Sequence, residues 1–250
     1  MSTISSDTLF HFTGSAEDLI NIFRNEFYPR YSLETVRELA NGKKVDIAVP
    51  MVCFCDIPLS KIKNHLSTYG YYGIGMSKEW AKKVKLNPVL YLRSGSDLEK
   101  YLKILLIDLV KKDKMEKEIG AALKAATNLL GYIKLYEGDF LRNDTVIKNV
   151  KFYNEREWRY VPEMPGEELP FLLREEFENP VTRAQENVKL QSTKLSFEPK
   201  DIKYVIVKEE KEILAMMRAL QQIKSKKYDK DTVELLTSRI ITSEQITKDF

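Results

Sequence analysis

The sequence predicts an α+β chain interrupted by a helical insertion, and three observations carry that reading. Short apolar runs of strand character, such as TLFHFT at 8–13 and the nearly all-apolar stretch from Pro50 to Asp56, alternate early with segments of helical spacing. From Ser96 to about Glu137 the chain changes character: Leu, Ile, Lys and Ala recur at helical spacing without a proline. Strand-like segments return from Val146 onward.

Each element has a local reason. Thr8 to Thr13 places Leu9, His11 and Thr13 on one face and Phe10 and Phe12 on the other. Gly14-Ser15 breaks this strand, and Ser15 caps a helix with Glu17 and Asp18 in its first turn, where the helix dipole favours acidic side chains. Leu19, Ile20, Ile22 and Phe23 form its apolar stripe, and Tyr28-Pro29-Arg30-Tyr31 ends it. A loop at Asn41-Gly42 precedes one or two strands in VDIAVPMVCFCDIP, of which Pro50 to Asp56 suits a buried strand. Ser60 to Tyr69 reads as a short helix and Tyr71 to Met76 as a strand. Ser77 caps a helical turn, and Asn87 to Leu92 is a further strand.

The insertion at about 96–137 divides into helices at roughly 97–112 and 114–136, the first burying Leu102, Leu105, Leu106 and Leu109. In the second β half, KFYNEREWRYVP holds one or two strands, and Leu195 to Phe197 and Lys203 to Val207 are late strands. Glu212 to Leu220 is helical, and the tail from Lys224 is lysine-rich before a short amphipathic end. The whole reads as a single domain over 1–250.

Composition narrows the function classes. The 250 residues carry 40 Lys+Arg against 37 Asp+Glu, a net charge of +3, with 43% hydrophobic and 31% charged residues. Such a balance excludes collagen-like and disordered chains, and it permits nucleic-acid binding without demanding it. No apolar run approaches the ~20 residues of a membrane span, and the first fifteen residues lack the pattern of a secretory signal. Cys53 and Cys55, one residue apart, are poorly spaced for a disulfide and fit a reducing cytoplasm. With only His11 and His65, a zinc site lacks ligands, so no metal is expected.

The segment Glu155-Arg156-Glu157-Trp158-Arg159 is the most informative. In a strand, Glu155, Glu157 and Arg159 share one face, an arrangement costly in a core unless the charges pair. It is either a solvated edge strand or a catalytic carboxylate with a helper and an orienting arginine. His11 is either a hydrogen-bonded core residue or, with Thr13, Gly14 and Ser15 beside it, part of a lip for a ribose or phosphate. Tyr69-Gly70-Tyr71-Tyr72-Gly73 offers packing or a stacking surface for a planar ligand. Tyr28, Arg30 and Tyr31 form a salt-bridged turn or an anion-binding lip. Cys53 and Cys55 are most simply small strand residues.

The string PMVCFCDIPLS, followed by H-x-x-x-YG-x-YGIGMSKEW and NPVLYL, closely resembles the AbiGi family of phage abortive-infection proteins. The match begins at LFHFTGS, runs through the first ninety residues and returns at EREWRY. More distantly, the layout resembles ADP-ribosyltransferases of the His-Tyr-Glu and DarT-like type. That resemblance implies an ADP-ribosyltransferase-like split β-sheet core with the helical insertion, with His11 on the first strand, Tyr69 beyond the second strand and its helix, and Glu157 on a late strand. The sequence departs from the pattern within the second strand, where Cys53, Phe54 or Cys55 stands in place of a tyrosine.

The resemblance implies a toxin of a phage-defence system that uses NAD as substrate, without a metal. His11 would bond the ribose or carboxamide, Tyr69 or Tyr71 would stack on nicotinamide, and Arg30 would meet the pyrophosphate. Glu157 would hold the ribose 2′-hydroxyl and stabilise the cation formed as nicotinamide leaves, and Glu155 would act as base or orient the acceptor. The implied partners are a cognate antitoxin and, as acceptor, nucleic acid, with RNA favoured over single-stranded DNA, or else protein, with Lys224, Lys226, Lys227 and Lys230 offering a basic surface. No membrane partner is expected. The alternative is a non-enzymatic antitoxin or interaction module of such a system.

Overall fold

A computed structural model describes residues 6–40, 43–113, 120–142, 145–163 and 171–249. The expected turn at Asn41-Gly42 and residues 114–119 of the expected second insertion helix lie outside them. The first half runs β1 (Thr8–Thr13), α1 (Ala16–Asn25), β2 (Arg30–Ala40), β3 (Lys43–Cys55), α2 (Lys63–Tyr69), β4 (Tyr72–Ser77), α3 (Lys78–Lys83), β5 (Asn87–Pro88) and β6 (Leu90–Leu92). The middle comprises α4 (Asp97–Asp113), α5 (Ala121–Leu130), β7 (Ile133–Leu135), β8 (Gly138–Arg142), β9 (Thr145–Val150) and β10 (Glu157–Tyr160). The last part adds β11 (Leu172–Leu173), α6 (Arg174–Glu178), α7 (Pro180–Lys189), β12 (Ile202–Val207), α8 (Ile213–Lys224), α9 (Lys230–Thr237), β13 (Ile240–Thr242) and α10 (Ser243–Asp249).

Seven strands form one path in the order β13-β12-β4-β1-β3-β10-β5, and β2 and β11 pair with the first half of β3. Among the described residues, only β12 and β13 run parallel within this sheet. The chain is thus α+β, as expected. The two sheet regions are not separate, however, because the 13-residue β3 belongs to both.

Alternation along β1 sends side chains to opposite layers. Leu9 joins Leu19 and Phe23 of α1, Ile74 and Met76 of β4, Trp80 of α3, and Met216 and Leu220 of α8. Phe10 instead meets Ile62, Leu66 of α2, Ile206 and Ile246 of α10. Helices therefore cover both faces around β1, each buried large side chain contributing about 1.5–3 kcal/mol of transfer free energy. Gly73 and Gly75 make room for this layer: a Cβ would meet the Phe12 ring at 2.9 Å and Thr8 at 2.8 Å, respectively.

Several elements differ from the sequence expectation. Tyr28 to Tyr31 is not a free turn, because Arg30 and Tyr31 open β2, paired with Met51 and Pro50 of β3. The stretch Asn87 to Leu92 divides between two sheets. The helix expected over 114–136 gives way to β7, which pairs in parallel with β6. Leu106 of α4 is buried, but Leu105 is exposed with Leu98, Tyr101, Ile104 and Val110, because α4 presents only its other side to β2 and α5. Leu195 makes a single bridge to Phe27 rather than a strand. Lys224 does not belong to a basic surface: it is buried, and its Nζ donates to the Phe23 carbonyl at 2.8 Å.

Candidate functional site

The site is built where β10 pairs with the end of β3, Glu157 opposite Cys55 and Arg159 opposite Cys53. Glu155 is not in the strand, since Phe152–Glu155 is a 3-10 turn. Arg156 then adopts a left-handed conformation with φ of 46°, which reverses the chain between the two glutamates. Both carboxylates nevertheless converge on Lys134 of β7, whose Nζ donates to Glu155 at 2.6 Å and to Glu157 at 2.7 Å. Arg159 is wholly buried. Its Nε donates to Glu157 at 2.6 Å, its Nη2 to Glu34 at 2.5 Å, and its Nη1 to the Gly131 carbonyl at 2.8 Å. Tyr91, which faces Lys134 across the β6–β7 ladder, accepts the Glu157 backbone N–H through its hydroxyl at 2.8 Å.

These contacts set the protonation states. Burial works to raise the Glu157 pKa, but Arg159 and then Lys134 override it and hold the carboxyl well below its ordinary range. Burial works to lower Lys134, and Glu157, Glu34 and Glu155 reverse it, so the ammonium persists. The Tyr69 hydroxyl donates to Glu155 at 2.5 Å, and burial and that carboxylate together push its pKa up. Burial next to Glu157 also raises the Cys53 thiol well above its ordinary value, so it remains a thiol rather than a nucleophilic thiolate.

Beside this network lies a cavity of about 470 Å³, within the range of small-molecule sites. Its wall is mixed: Phe10, Phe12, Phe54 and Phe152 are apolar, while Glu155, Glu157, Lys134, Tyr69, His11 and His65 supply polar groups. His11 Nδ1 lies 2.8 Å from the Cys53 carbonyl. That contact assigns the ring hydrogen to Nδ1 and leaves Nε2 as an acceptor; burial also lowers its pKa, favouring the neutral ring. His65 is different. Both of its ring nitrogens are buried without a hydrogen-bond partner among the described residues, and its ring lies tilted against Tyr69 at 5.9 Å.

Four of the expected catalytic and NAD-binding residues therefore meet at one cavity, His11, Tyr69, Glu155 and Glu157, and Cys53, Phe54 and Cys55 line it as well. The other expected NAD-binding residues lie elsewhere. The Thr13 hydroxyl donates to the Ser15 carbonyl, and the Thr13 carbonyl packs against Gly70; neither Thr13 nor Gly14 belongs to the cavity lining. Tyr28 and Arg30 are exposed and Tyr31 packs with Ala48, Leu172 and Leu190, all away from the lining. Tyr71 is exposed, with Lys208 over its ring. Of these candidates, Tyr69 alone is placed as an aromatic ring in the cavity wall.

Sequence reasoning passed over Lys134, Glu34 and His65. Lys134 sits in a three-residue strand too short for a recognisable alternation, and Glu34 reaches Arg159 from 125 positions away. The signal available for His65 was its position one helical turn before Tyr69.

Comparisons with known proteins give a consistent answer. Residues 25–208 match a family model described as "Putative abortive phage resistance protein AbiGi, antitoxin". That span includes Glu34, Cys53, His65, Tyr69, Lys134, Glu155, Glu157 and Arg159, but not His11. The abortive phage resistance protein AbiGi of Lactococcus lactis subsp. cremoris is 28% identical over 251 aligned positions, covering 90% of this chain and 99% of that protein. No solved structure matches the chain. With the family model spanning most of the sequence, from the last residue of α1 to just past the end of β12, the chain belongs to the AbiGi family of abortive phage-resistance proteins.

Proposed function

We propose that this protein acts in phage defence as an NAD-dependent ADP-ribosyltransferase, with the cavity beside β10 as its active site. The supporting observation is the convergence of His11, Tyr69 and Glu157, from β1, α2 and β10, on one cavity. A positively charged nicotinamide ring suits a wall of aromatic rings and carboxylates. Neutral His11, fixed through Nδ1, would offer Nε2 to a ribose hydroxyl. Glu157 would stabilise the oxocarbenium charge that develops as the glycosidic bond breaks, by preorganised electrostatics. Arg174, half exposed in the lining and paired with Asp46 at 2.5 Å, is the cation an anionic tail would meet, rather than Arg30.

Lys134 bears on this mechanism directly. In the structure it donates to both glutamates, so a substrate hydroxyl at Glu157 would share the carboxylate with an ammonium. The test is incubation of the purified chain with labelled NAD and cell extract divided into protein, RNA and DNA fractions, beside Glu157→Gln. Label transferred by the wild type and reduced at least about 10²-fold in the variant supports the reading. A folded wild type that labels no fraction and releases no nicotinamide overturns it.

The second reading is a non-enzymatic antitoxin. It is favoured by the same Lys134 bridge, which engages the two carboxylates in an internal ion pair, and by the antitoxin description of the family. It predicts that expression of the protein alone does not slow growth, and that Glu157→Gln still neutralises a partner toxin encoded beside it.

A further inference from the structure

We propose that the surface around Glu198, where α3, the 3-10 turn before β12 and the turn between α8 and α9 meet, binds the phosphodiester backbone of nucleic acid without reading its sequence. The proposal adds to both readings above and depends on neither.

Three segments build this surface. The Trp80 indole of α3 donates to the Ser196 carbonyl at 3.0 Å, which fixes α3 beside the chain that leads to Glu198. Lys200 lies in the 3-10 turn Pro199–Asp201, which packs on α9, and Arg239 donates to the Pro199 carbonyl at 2.7 Å. Lys226 and Lys227 lie in the turn that joins α8 to α9. At the centre Lys200 pairs with Glu198 at 2.8 Å, and the charges of Lys83 and Lys227 act on the same carboxylate from the other two segments. Lys82 and Lys85 flank Lys83 along the chain, and all six of these lysines are exposed.

The charge here is not balanced within the fold. Lys82, Lys83, Lys85, Lys226 and Lys227 form no ion pair among the described residues. One surface thus gathers five unpaired cations in a chain whose whole net charge is +3. Most of the neighbouring acids are committed. Asp201 is buried and accepts the Glu198 backbone N–H, Asp229 caps α9 through Thr232, and Glu234 pairs with Lys230. Glu79 is exposed, in the first turn of α3. Burial disfavours the ammonium of Lys224 beneath, and the charge of Lys227 adds to that. Like charges held together oppose folding, and a polyanion offsets them.

The chemistry selects the polyanion. Lysine is a hydrated point charge that meets phosphate oxygens from any direction, whereas base edges are read by side chains of fixed bidentate geometry. Among the described residues, no exposed large apolar side chain falls within 78–85, 196–201 or 224–230. The surface therefore lacks the apolar centre of a protein interface, which is depleted in lysine, and the apolar face that enters a bilayer. None of these lysines lines the cavity beside β10.

The test measures binding of the full-length chain, without NAD, to dye-labelled oligonucleotides of mixed sequence by fluorescence anisotropy. Its arms are single-stranded RNA, single-stranded DNA and duplex DNA, and the arm that binds most tightly names the nucleic acid. The logarithm of the binding constant should fall against the logarithm of salt concentration with a slope of about −3 to −5, as for roughly five neutralised phosphates. The triple variant Lys83→Gln, Lys200→Gln, Lys227→Gln should keep the wild-type thermal midpoint, since all three side chains are exposed. It should bind at least about 10-fold more weakly, with a slope shallower by about 2–3. Glu198→Gln should instead tighten binding about 2–5-fold, by removing the central negative charge. Lys111→Gln with Lys112→Gln, on α4, should leave binding unchanged. No binding in any arm at low salt overturns the proposal, as does a triple variant that binds like the wild type. Capture by anionic lipid vesicles without binding to any oligonucleotide also overturns it. The transferase reading is tested separately, with NAD and Glu157→Gln, so either can fail alone.

Discussion

Glu157 and Arg159, two residues apart on β10, form a buried ion pair at 2.6 Å, and the arginine has no exposed surface. Arg159 also holds Glu34 and the Gly131 carbonyl, so it ties β10 to β2 and to the turn before β7. Replacing Arg159 with Met would take this guanidinium from Glu34 and leave Glu157 with Lys134 alone. The expected loss is about 3–5 kcal/mol, read from the urea unfolding midpoint at pH 7. An unchanged midpoint would show that the pair contributes nothing to folding.

Lys134 is the counterpart on β7. Lys134→Met should destabilise the protein by a similar ~3–5 kcal/mol at pH 7. The deficit should shrink toward pH 5, because surplus buried carboxylates then take up protons that relieve their repulsion. Adding Glu155→Gln should restore part of the stability, with a coupling of about 1–3 kcal/mol in a double-mutant cycle. Simple additivity would argue that Lys134 and Glu155 do not interact.

Gly70 ends α2 at φ of 122°, and a Cβ there would lie 2.0 Å from the Thr13 carbonyl oxygen. That contact is with backbone and no rotamer relieves it. Gly70→Ala should cost about 2–4 kcal/mol, whereas Gly95→Ala, also at positive φ but with open space around it, should cost less. Thermal unfolding of the two variants tests the contrast, and equal shifts would contradict it.

Stability should also depend on pH in two steps. Burial lowers the pKa of both His11 and His65, so the unfolded chain binds protons before the folded one. Stability is then full above about pH 6.5 and falls as the pH drops through it. Glu157 is held low by Arg159 and Lys134, so its contribution is present above about pH 4.3 and is lost below it. Unfolding midpoints measured from pH 8 to pH 3 should show both losses, and His65→Gln should flatten the first. A midpoint constant between pH 8 and pH 5 would refute the histidine assignment.

The local elements of the first ninety residues were legible because each carries its own signal. Ser15 and Ser77 cap α1 and α3 through side-chain bonds to Asp18 and Trp80, and β1 alternates cleanly between two core layers. The segments that misled are those whose state depends on distant partners. Ile133–Leu135 continues the helical pattern of α5, yet it is a strand because β6 offers its edge. Leu105 sits at helical spacing with Leu102 and Leu106, yet nothing among the described residues covers it.

The candidate site divides in the same way. Glu155, Glu157 and Arg159 announce themselves in sequence as charges within a strand-like stretch. Their common destination, however, comes partly from the left-handed turn at Arg156, which period-two reasoning does not include.

By itself the sequence determined the α+β class, the caps and strands of the first half, the charge-rich β10 and the kinship with AbiGi proteins, because these rest on local spacing and on words shared in order. The tertiary structure alone decided that Lys134 bridges the two glutamates, that Glu34 completes the arginine's shell, and that His65 lines the cavity unpaired. The physical reason is that ion pairing and burial depend on separation in space. Contacts spanning 21, 23 and 125 positions leave no trace in the spacing of neighbouring residues.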